Sequence, residues 1–314
     1  MLHTGNFEEI YTIAEALSSK VRLDIVKFLL TKNTNINELA KEIHLTNSAL
    51  TMHIKKLEDA GIIAITHESG TRGMQKVCSI KNRKVLLEMD GTVGAAVNSH
   101  AFEIRIGHYS NYEVVPTCGL VTAQKIIGIL DDPRYFAFPE RFDAELIWLT
   151  DGFLEYKIPN SLRASENPVE LQISMEIASE APGYSEHFPS DIHFAINGVA
   201  LGYWTSPGEF NDRRGLFTPK WWFPNLGQYG QLKLLSVNAK GTFIDGLKIS
   251  DVTIGDLNID YRSDISFVLG APRNAVNRGG LTLFGKNFGD YAQGIVFSVL
   301  FENKENGKPP QANA

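Results

Sequence analysis

The sequence has few cysteines and no long apolar run. Its 314 residues include two cysteines, Cys78 and Cys118, which form no C-x-x-C pair. This spacing argues against a disulfide framework and against a zinc site. A membrane helix needs about 18 consecutive apolar residues, and a secretory signal begins with basic residues where this chain has acids. We therefore expect a cytoplasmic protein with reduced structural thiols and with no membrane partner, cofactor or bound metal.

An excess of positive charge is also missing from the chain as a whole, which has a formal net charge of −6. The charge is unevenly distributed, because residues 1–90 have a net charge of +1 and residues 91–314 a net charge of −7. A polyanion responds to the face nearest to it, since the Debye length near physiological salt is about 8 Å. The total charge therefore does not exclude a nucleic-acid partner for the N-terminal third.

Apolar residues recur at helical spacing between residues 7 and 57, which predicts four short helices. Thr34 or Asn35 is suited to cap the third helix. The fourth is predicted over Asn47–Asp59, with Thr46 as its N-cap and Gly61 as its left-handed stop. The third and fourth helices together form a helix-turn-helix.

Two β-prone runs follow, at residues 62–66 and 74–80, and a turn bracketed by glycines separates them. This pattern predicts a β-hairpin, and a helix-turn-helix followed by a hairpin is a winged helix. We expect the winged helix-turn-helix domain to occupy residues 1–82 and a linker with a short helix to occupy residues 83–100.

About a dozen short apolar or alternating runs lie beyond residue 100, separated by Gly, Pro, Asn and Asp. They include residues 145–149, 153–158, 241–244 and 281–284. They predict an antiparallel β-sandwich over residues 101–302, of jelly-roll-like kind, and Asn197-Gly198 between two runs predicts a tight hairpin. Residues 303–314 are expected to form a disordered tail. The expected fold class is thus an α+β multidomain protein.

The predicted fourth helix has two different sides. One side is apolar except for His53, which we expect to be partly buried and hydrogen bonded. The other carries two hydroxyls, a thioether and an ammonium group, and these can contact base edges or phosphates in a major groove. The alternative is a solvated polar face on an ordinary helical domain. The predicted DNA contacts are Thr46, Asn47, Ser48, Thr51, Met52, Lys55 and Lys56 around this helix and Arg72 at the tip of the wing.

Residues 38–63, ELAKEIHLTNSALTMHIKKLEDAGII, resemble the arsenical-repressor-type (ArsR-like) winged-helix transcription regulators. The resemblance covers about residues 8–80, and it implies a bacterial homodimer on a pseudo-palindromic double-stranded DNA operator. Metal-sensing members of the family place cysteines in the third helix, where this chain has NELAKE at residues 37–42. Metal sensing is therefore not expected. Residues 179–199 are similar to regulators that join such a head to a β-sandwich.

Residues 203–229 combine aromatic rings with many hydrogen-bonding groups in a segment too irregular for a strand. Sugars are held by stacking on aromatic rings together with hydrogen bonds from polar side chains, so the segment is a candidate site for a small carbohydrate-like effector. The alternative is that the tryptophans cover one end of the sandwich. The candidate ligand-binding residues are Trp204, Glu209, Asp212, Arg213, Arg214, Trp221, Trp222, Asn225 and Tyr229.

We therefore expect a sequence-specific transcription regulator, a repressor, whose sandwich senses this effector. One alternative is that the sandwich only dimerises the protein or docks a protein partner, with no small ligand. A third possibility is a glycoside-active enzyme, for which Glu186, Glu209 and Asp212 are the first candidate catalytic acids. No common catalytic motif is found in the sequence, so we expect no enzymatic activity and no catalytic residue.

Overall fold

The computed structural model describes residues 2–4, 6–70, 73–87, 89, 98–181, 183 and 185–303. The chain divides into two compact units, residues 1–95 and 96–314. Each unit has a hydrophobic core of its own. Among the described residues, no helix is both long enough and apolar enough to cross a membrane. The part of the predicted disordered tail that follows Asn303 lies outside the described residues.

The N-terminal unit consists of four α-helices and short strands. Its elements are β1 (Leu2–Thr4), α1 (Phe7–Leu17), α2 (Lys20–Leu29), β2 (Thr34–Asn35), α3 (Ile36–Glu42), α4 (Asn47–Asp59), β3 (Ile63–Gly70), β4 (Gly73–Ile80) and β5 (Val85–Leu87). The core of the unit is formed by apolar residues of the four helices together with residues that follow α4.

Local capping sets the bounds of the helix-turn-helix. The Asn35 side chain accepts a hydrogen bond from the Glu38 backbone at 3.0 Å and so caps α3. Thr46 caps α4 by accepting from the Ala49 backbone at 3.3 Å. Gly61 has a φ of 68°, in the left-handed region that favours glycine, and α4 ends just before it. The fourth helix thus has its predicted bounds and its predicted N-cap.

The strands β3 and β4 form an antiparallel hairpin in which Ile63 pairs with Ile80 and Gly70 with Gly73. Strand β2 adds to the same sheet, where Thr34 pairs with Cys78. The two residues at the hairpin tip, Thr71 and Arg72, lie outside the described residues. The N-terminal unit is therefore a winged helix-turn-helix, as predicted.

The segment 83–100 differs from the prediction of a linker with a short helix. Strand β5 lies within it and pairs in parallel with β1, with Leu2 opposite Val85. The described residues of this segment contain no helix. Three consecutive branched apolar side chains, Val-Leu-Leu, suit a pleated surface, and pairing with the distant β1 supplies hydrogen bonds that the local sequence pattern does not reveal.

The C-terminal unit is rich in antiparallel strands. They are β6 (Asn98–Ile104), β7 (Asn111–Val121), β8 (Leu146–Ile158), β9 (Glu166–Ala178), β10 (Ser190–Ile196), β11 (Val199–Ser206), β12 (Gln231–Asn238), β13 (Gly241–Ile244), β14 (Leu247–Ser250), β15 (Ile265–Ala271), β16 (Leu281–Phe284) and β17 (Ile295–Asn303). Short 3-10 turns are found in three of the connections.

In the described part of the unit, the main path of the sheet has the strand order β11-β10-β15-β8-β16-β9-β12-β13-β14. Strand β17 pairs with β9 and β6, and β7 pairs with β8. The two long strands β8 and β9 each pair with different strands along their length. The two ends of this path, β11 and β14, lie close together. A Cβ atom added to Gly202 of β11 would lie 3.4 Å from Ile249 of β14. The unit is thus a sandwich or near-barrel, and the jelly-roll topology stays a prediction.

The sequence pattern predicted most strands of this unit. The bounds of β13 and β16 are those predicted, and Asn197 and Gly198, with φ of 49° and 80°, turn the chain between β10 and β11. Two predicted runs, 145–149 and 153–158, join into the single strand β8, because Gly152 continues the pairing between them with a φ of 122°. Strand β14 was missed, since its first residue, Leu247, is 75% exposed and shows no buried periodicity.

Both cysteines are free and buried. Burial raises the pKa of the Cys78 thiol to about 11 and that of the Cys118 thiol to about 12. The thiolate is the reactive form, so both side chains behave as small apolar groups of the two cores.

Neighbouring residues of α4 provide a test of the N-terminal core. Ile54 is 1% exposed, whereas Lys55 next to it is exposed. We expect Ile54→Ala to lower the free energy of unfolding by about 2–5 kcal/mol through the cavity it leaves, and Lys55→Ala to change it by less than about 0.5 kcal/mol. The α-helices of the described residues all lie in this unit, so far-UV circular dichroism follows its unfolding. Equal effects of the two substitutions would contradict the orientation of α4.

Candidate nucleic-acid interface and ligand cavity

The helix α4 has one buried side and one exposed side. Leu50 and Leu57 are 0% exposed and Ile54 is 1% exposed, while His53 is partly buried, as predicted. On the opposite side, the predicted reading residues are all exposed, and Met52 is 69% exposed. The exposed residues of that side are Ser48, Thr51, Met52 and Lys55.

The polar groups near the start of α4 are only partly engaged within the chain. The Asn47 side chain donates to Asn37 Oδ1 at 2.8 Å, and the Thr51 hydroxyl donates to the Asn47 carbonyl at 2.7 Å. Each of these groups keeps further hydrogen-bonding capacity. The side chains of Ser48 and Lys55 make no hydrogen bond or ion pair within the part of the chain that the structure describes. These two side chains are therefore free to meet a partner.

Lys56 differs from Lys55 in having a partner. Its Nζ atom lies 2.5 Å from Glu15 Oε1 on α1, and both side chains are about half exposed. The hydrogen bond from Lys56 lowers the pKa of Glu15. The ion pair joins α4 to α1, so a phosphate contact by Lys56 would compete with Glu15. The predicted contact from Arg72 lies outside the described residues.

In the C-terminal unit, several of the candidate ligand-binding residues engage one another. The Arg213 guanidinium pairs with both Asp290 oxygens, at 2.9 and 2.5 Å, and lies 4.1 Å above the Tyr229 ring. The Tyr229 hydroxyl donates to Asp212, and Arg214 donates to the Pro219 carbonyl at 2.6 Å. These polar groups satisfy each other and hold the loop to residues that precede β17.

The tryptophans do not form one stacking platform. Trp204 packs against the main core of the unit, with Lys233 Nζ 4.2 Å from its ring centroid. Trp221 donates from Nε1 to the Ala123 carbonyl at 2.7 Å. Trp222 is 3% exposed and stacks edge-on against Trp148. Asn225 is exposed.

A cavity of about 170 Å³ brings two of the candidate residues, Glu209 and Trp222, together with residues that the sequence did not single out. Trp148 and Thr282 are buried parts of its lining, 8% and 2% exposed. The exposed residues of its lining include Thr117 and Asp131. We call this space the tryptophan cavity. The other described lining residues are Leu130, Leu146, Glu180, Ala181, Gly183 and Leu226.

Two carboxyl groups meet in the tryptophan cavity. Glu209 is 5% exposed and accepts one long hydrogen bond, 3.4 Å, from the Ala181 backbone. Glu180 accepts from the hydroxyls of Thr117 at 3.3 Å and Thr282 at 3.4 Å. Burial raises the pKa of Glu180 to about 8 and that of Glu209 to about 9, and the charge of Glu180 adds to the shift of Glu209. At neutral pH both carboxyls are therefore largely protonated.

Glu180 was missed because no local pattern marks it. It lies two residues after the end of β9, and only the pairing of distant strands places it beside Glu209. The other acids considered for catalysis lie elsewhere, since Glu186 is exposed and the Tyr229 hydroxyl engages Asp212. Another carboxyl, that of Glu176, is fully buried, and its pKa is raised to about 8 by burial, yet it accepts backbone hydrogen bonds from Gly230, Asp290 and Tyr291.

The family model described as bacterial regulatory protein, arsR family, matches residues 19–64. An uncharacterized helix-turn-helix-type transcriptional regulator of Methanocaldococcus jannaschii is 38% identical over 55 residues, which are 18% of this chain and 58% of that protein. The chain thus spans less than two thirds of the length of this curated relative.

Solved structures similar to part of the chain include two bacterial proteins. One is the homodimeric winged helix-turn-helix DNA-binding domain of a Mycobacterium bovis protein, at 17% identity over 24% of this chain and 67% of that chain, with a TM-score of 0.22. The other is HlyU from Vibrio cholerae, at 19% identity over 24% of this chain and 79% of that chain, with a TM-score of 0.21. The residues that match the arsR family model lie within the N-terminal unit, and the match does not extend into the β-rich unit.

The raised carboxyl pKa values predict how the stability of the C-terminal unit depends on pH. A carboxyl protonated in the folded state and ionised in the unfolded state stabilises the fold fully below its ordinary pKa of 4.5, and this contribution is lost as the pH rises toward 8–9. We expect the free energy of unfolding to fall by about 2 kcal/mol or more between pH 5.5 and 7.5. All four tryptophans lie in this unit, so their fluorescence follows its denaturant unfolding.

The double variant Glu180→Gln, Glu209→Gln keeps the shape of the protonated pair but cannot ionise. The free energy of unfolding of this variant should depend much less on pH. The pH dependence that remains should come from Glu176. Glu186→Gln, at an exposed position, is the matched control and should leave the dependence unchanged. A double variant with the same pH dependence as the unaltered chain would show that these carboxyls ionise normally in the fold.

Proposed function

We propose that this protein is a sequence-specific DNA-binding transcription regulator. The observation that carries the proposal is the division of α4, whose apolar side is buried while Ser48, Thr51, Met52 and Lys55 are exposed together on the opposite side. A helix with this arrangement can enter a major groove, with its hydroxyls at base edges and its ammonium group at a phosphate. The match of residues 19–64 to the arsR family supports the same function.

The groups around the start of α4 extend this interface. Thr46 and Asn47 lie at the N-terminal end of the helix, where the helix dipole and free backbone N–H groups favour a phosphate. The wing, with Arg72 at its tip, is proposed to contact the backbone or the minor groove beside the site. We propose a homodimer, because one α4 reads only a few base pairs and a symmetric dimer reads two half-sites about one helical turn apart.

We further propose that the protein is a repressor that a small carbohydrate-like effector releases from DNA, and that the C-terminal unit binds this effector. The tryptophan cavity supports this proposal, because it combines apolar walls with a few polar groups, as small-molecule sites do. Regulation requires the effector to prefer one arrangement of the dimer, and a coupling of about 1–3 kcal/mol would change operator affinity about 5- to 150-fold.

Replacing Lys55 tests the interface. An operator is first selected from a pool of random DNA duplexes, and affinity is then measured by fluorescence anisotropy at several salt concentrations. We expect Lys55→Ala to weaken binding and to reduce the slope of log affinity against log salt by about one unit, because one phosphate contact releases about one counterion. An unchanged slope would remove Lys55 from the phosphate contacts.

Two variants serve as controls for this measurement. Lys220→Ala removes the same charge from the C-terminal unit and should leave the slope unchanged. Lys56→Ala removes an ammonium group that Glu15 already engages, so its effect on the slope should be smaller than that of Lys55→Ala. If no duplex is enriched over random sequence at low salt, the proposed function is wrong.

A further inference from the structure

The tryptophan cavity is acidic and has no positive charge of its own. Three carboxyl-bearing side chains line it, those of Asp131, Glu180 and Glu209, and its described lining contains no lysine, arginine or histidine. Asp131 accepts a hydrogen bond from the Cys118 backbone at 2.9 Å, which holds its carboxylate in place. Glu209 is buried among these acids, and the burial of its carboxyl group needs compensation, either by a proton or by a cation from outside.

Glu209 is the acid whose hydrogen bonding is least complete. It is 5% exposed, its Oε2 atom has one long bond to the Ala181 backbone, and Oε1 has no donor among the described residues. The side chain is held by close packing, since a Cβ atom added to Gly227 would collide with Oε1. An oxygen to which the fold supplies no donor can still accept hydrogen bonds, so a ligand that brings a donor gains an interaction for which the acceptor is already in place.

The rest of the lining is suited to an organic group. Trp148 and Trp222 contribute indole rings, and Leu146 and Leu226 contribute apolar surface. The face of an indole ring attracts an ammonium group, most strongly where water is excluded. The cavity volume of about 170 Å³ is close to that of cavities of about 150 Å³ that accept a benzene molecule. One small ring or a short branched chain would fill it.

A metal ion does not match this arrangement. Within the described ranges, no three side chains of His, Cys, Asp or Glu converge closely enough to hold a metal. Divalent cations such as calcium need six to eight oxygen ligands, whereas most of this lining is aromatic and aliphatic. The missing positive charge is therefore better supplied by an organic cation.

We propose that the tryptophan cavity binds a small organic molecule that carries an ammonium group, which donates hydrogen bonds to Glu209 and Glu180 while its apolar part packs against Trp148 and Trp222. The inference names the chemical class of the effector, and its regulatory meaning rests on the proposed function. Binding itself does not require DNA. An amino sugar would satisfy both this inference and the predicted carbohydrate-like effector.

Binding should release protons. The titratable groups that line the cavity with Glu209 are Glu180 and Asp131, and burial raises the pKa of both glutamates, which favours their protonated forms in the empty cavity. An ammonium group favours the ionised form, so each carboxylate that pairs with it gives up a proton to solvent. A neutral sugar or alcohol in the same place would bind without this release.

The test is calorimetric titration of the full chain at pH 7, without DNA, with two matched pairs of compounds. Benzylamine is compared with benzyl alcohol, and glucosamine with glucose. We expect at least one amine to bind, at least about tenfold more tightly than its neutral partner. Titrations in buffers with different ionisation enthalpies should show a net release of protons. Binding of benzylamine alone would support the ammonium site and remove a carbohydrate from the proposed effectors.

Variants assign the binding to the cavity. Glu209→Gln should weaken amine binding at least about tenfold and reduce the proton release, whereas Glu186→Gln, at an exposed position, should change neither. Tryptophan fluorescence checks that each variant is folded. The inference is overturned if neither amine binds at about 10 mM, if the neutral partners bind equally well, or if Glu209→Gln has no effect. Failure of the amine-binding test does not affect the test of operator binding, and failure of operator binding does not affect the amine-binding test.

Discussion

The burial of one side of α4 is the constraint on which the proposed DNA interface depends. Leu50, Ile54 and Leu57 contribute to the core of the N-terminal unit, and their burial fixes the rotation of the helix about its axis. Because successive residues turn by about 100°, fixing the apolar side also fixes where the hydroxyls and the ammonium group point. The pair between Lys56 and Glu15 adds a second tie, to α1. Recognition chemistry can then vary on the exposed side without changing the core.

The fold was predicted from the sequence where local signals determine it. Thr46 and Gly61 set the two ends of α4, because a capping hydroxyl and a left-handed glycine act within one turn of the helix. The same holds for the Asn197-Gly198 turn. The strand order could not be predicted, because β16 lies between β8 and β9 although more than 100 residues separate it from either strand in the sequence. The parallel pairing of β1 with β5 is equally non-local, and the local sequence pattern did not predict strand β5.

The candidate DNA residues lie mostly on one short helix, whereas the placement of the candidate ligand residues depends on contacts between distant parts of the chain. Composition identified residues 203–229 as rich in aromatic and polar groups, but composition does not tell which of those groups the fold uses for itself. Asp290 engages Arg213, and the Ala123 carbonyl accepts from Trp221, through contacts between distant parts of the chain. Of the candidate ligand residues, only Glu209 and Trp222 line the tryptophan cavity, and Glu180, the second glutamate of its lining, lies just beyond the end of β9.

Two buried glutamates of the C-terminal unit, Glu176 and Glu209, show how a structural carboxyl differs from one suited to a ligand. Glu176 receives backbone hydrogen bonds of 2.8 Å from Gly230 and 3.0 Å from Tyr291, so the fold itself compensates the burial of this group. Glu209 is nearly as buried, yet it receives a single bond of 3.4 Å and lies beside a second carboxyl. Burial alone would make both groups equally unfavourable. The difference in donors means that the fold offsets more of the cost of burying Glu176, whereas the compensation of Glu209 is left to a proton or to a bound cation.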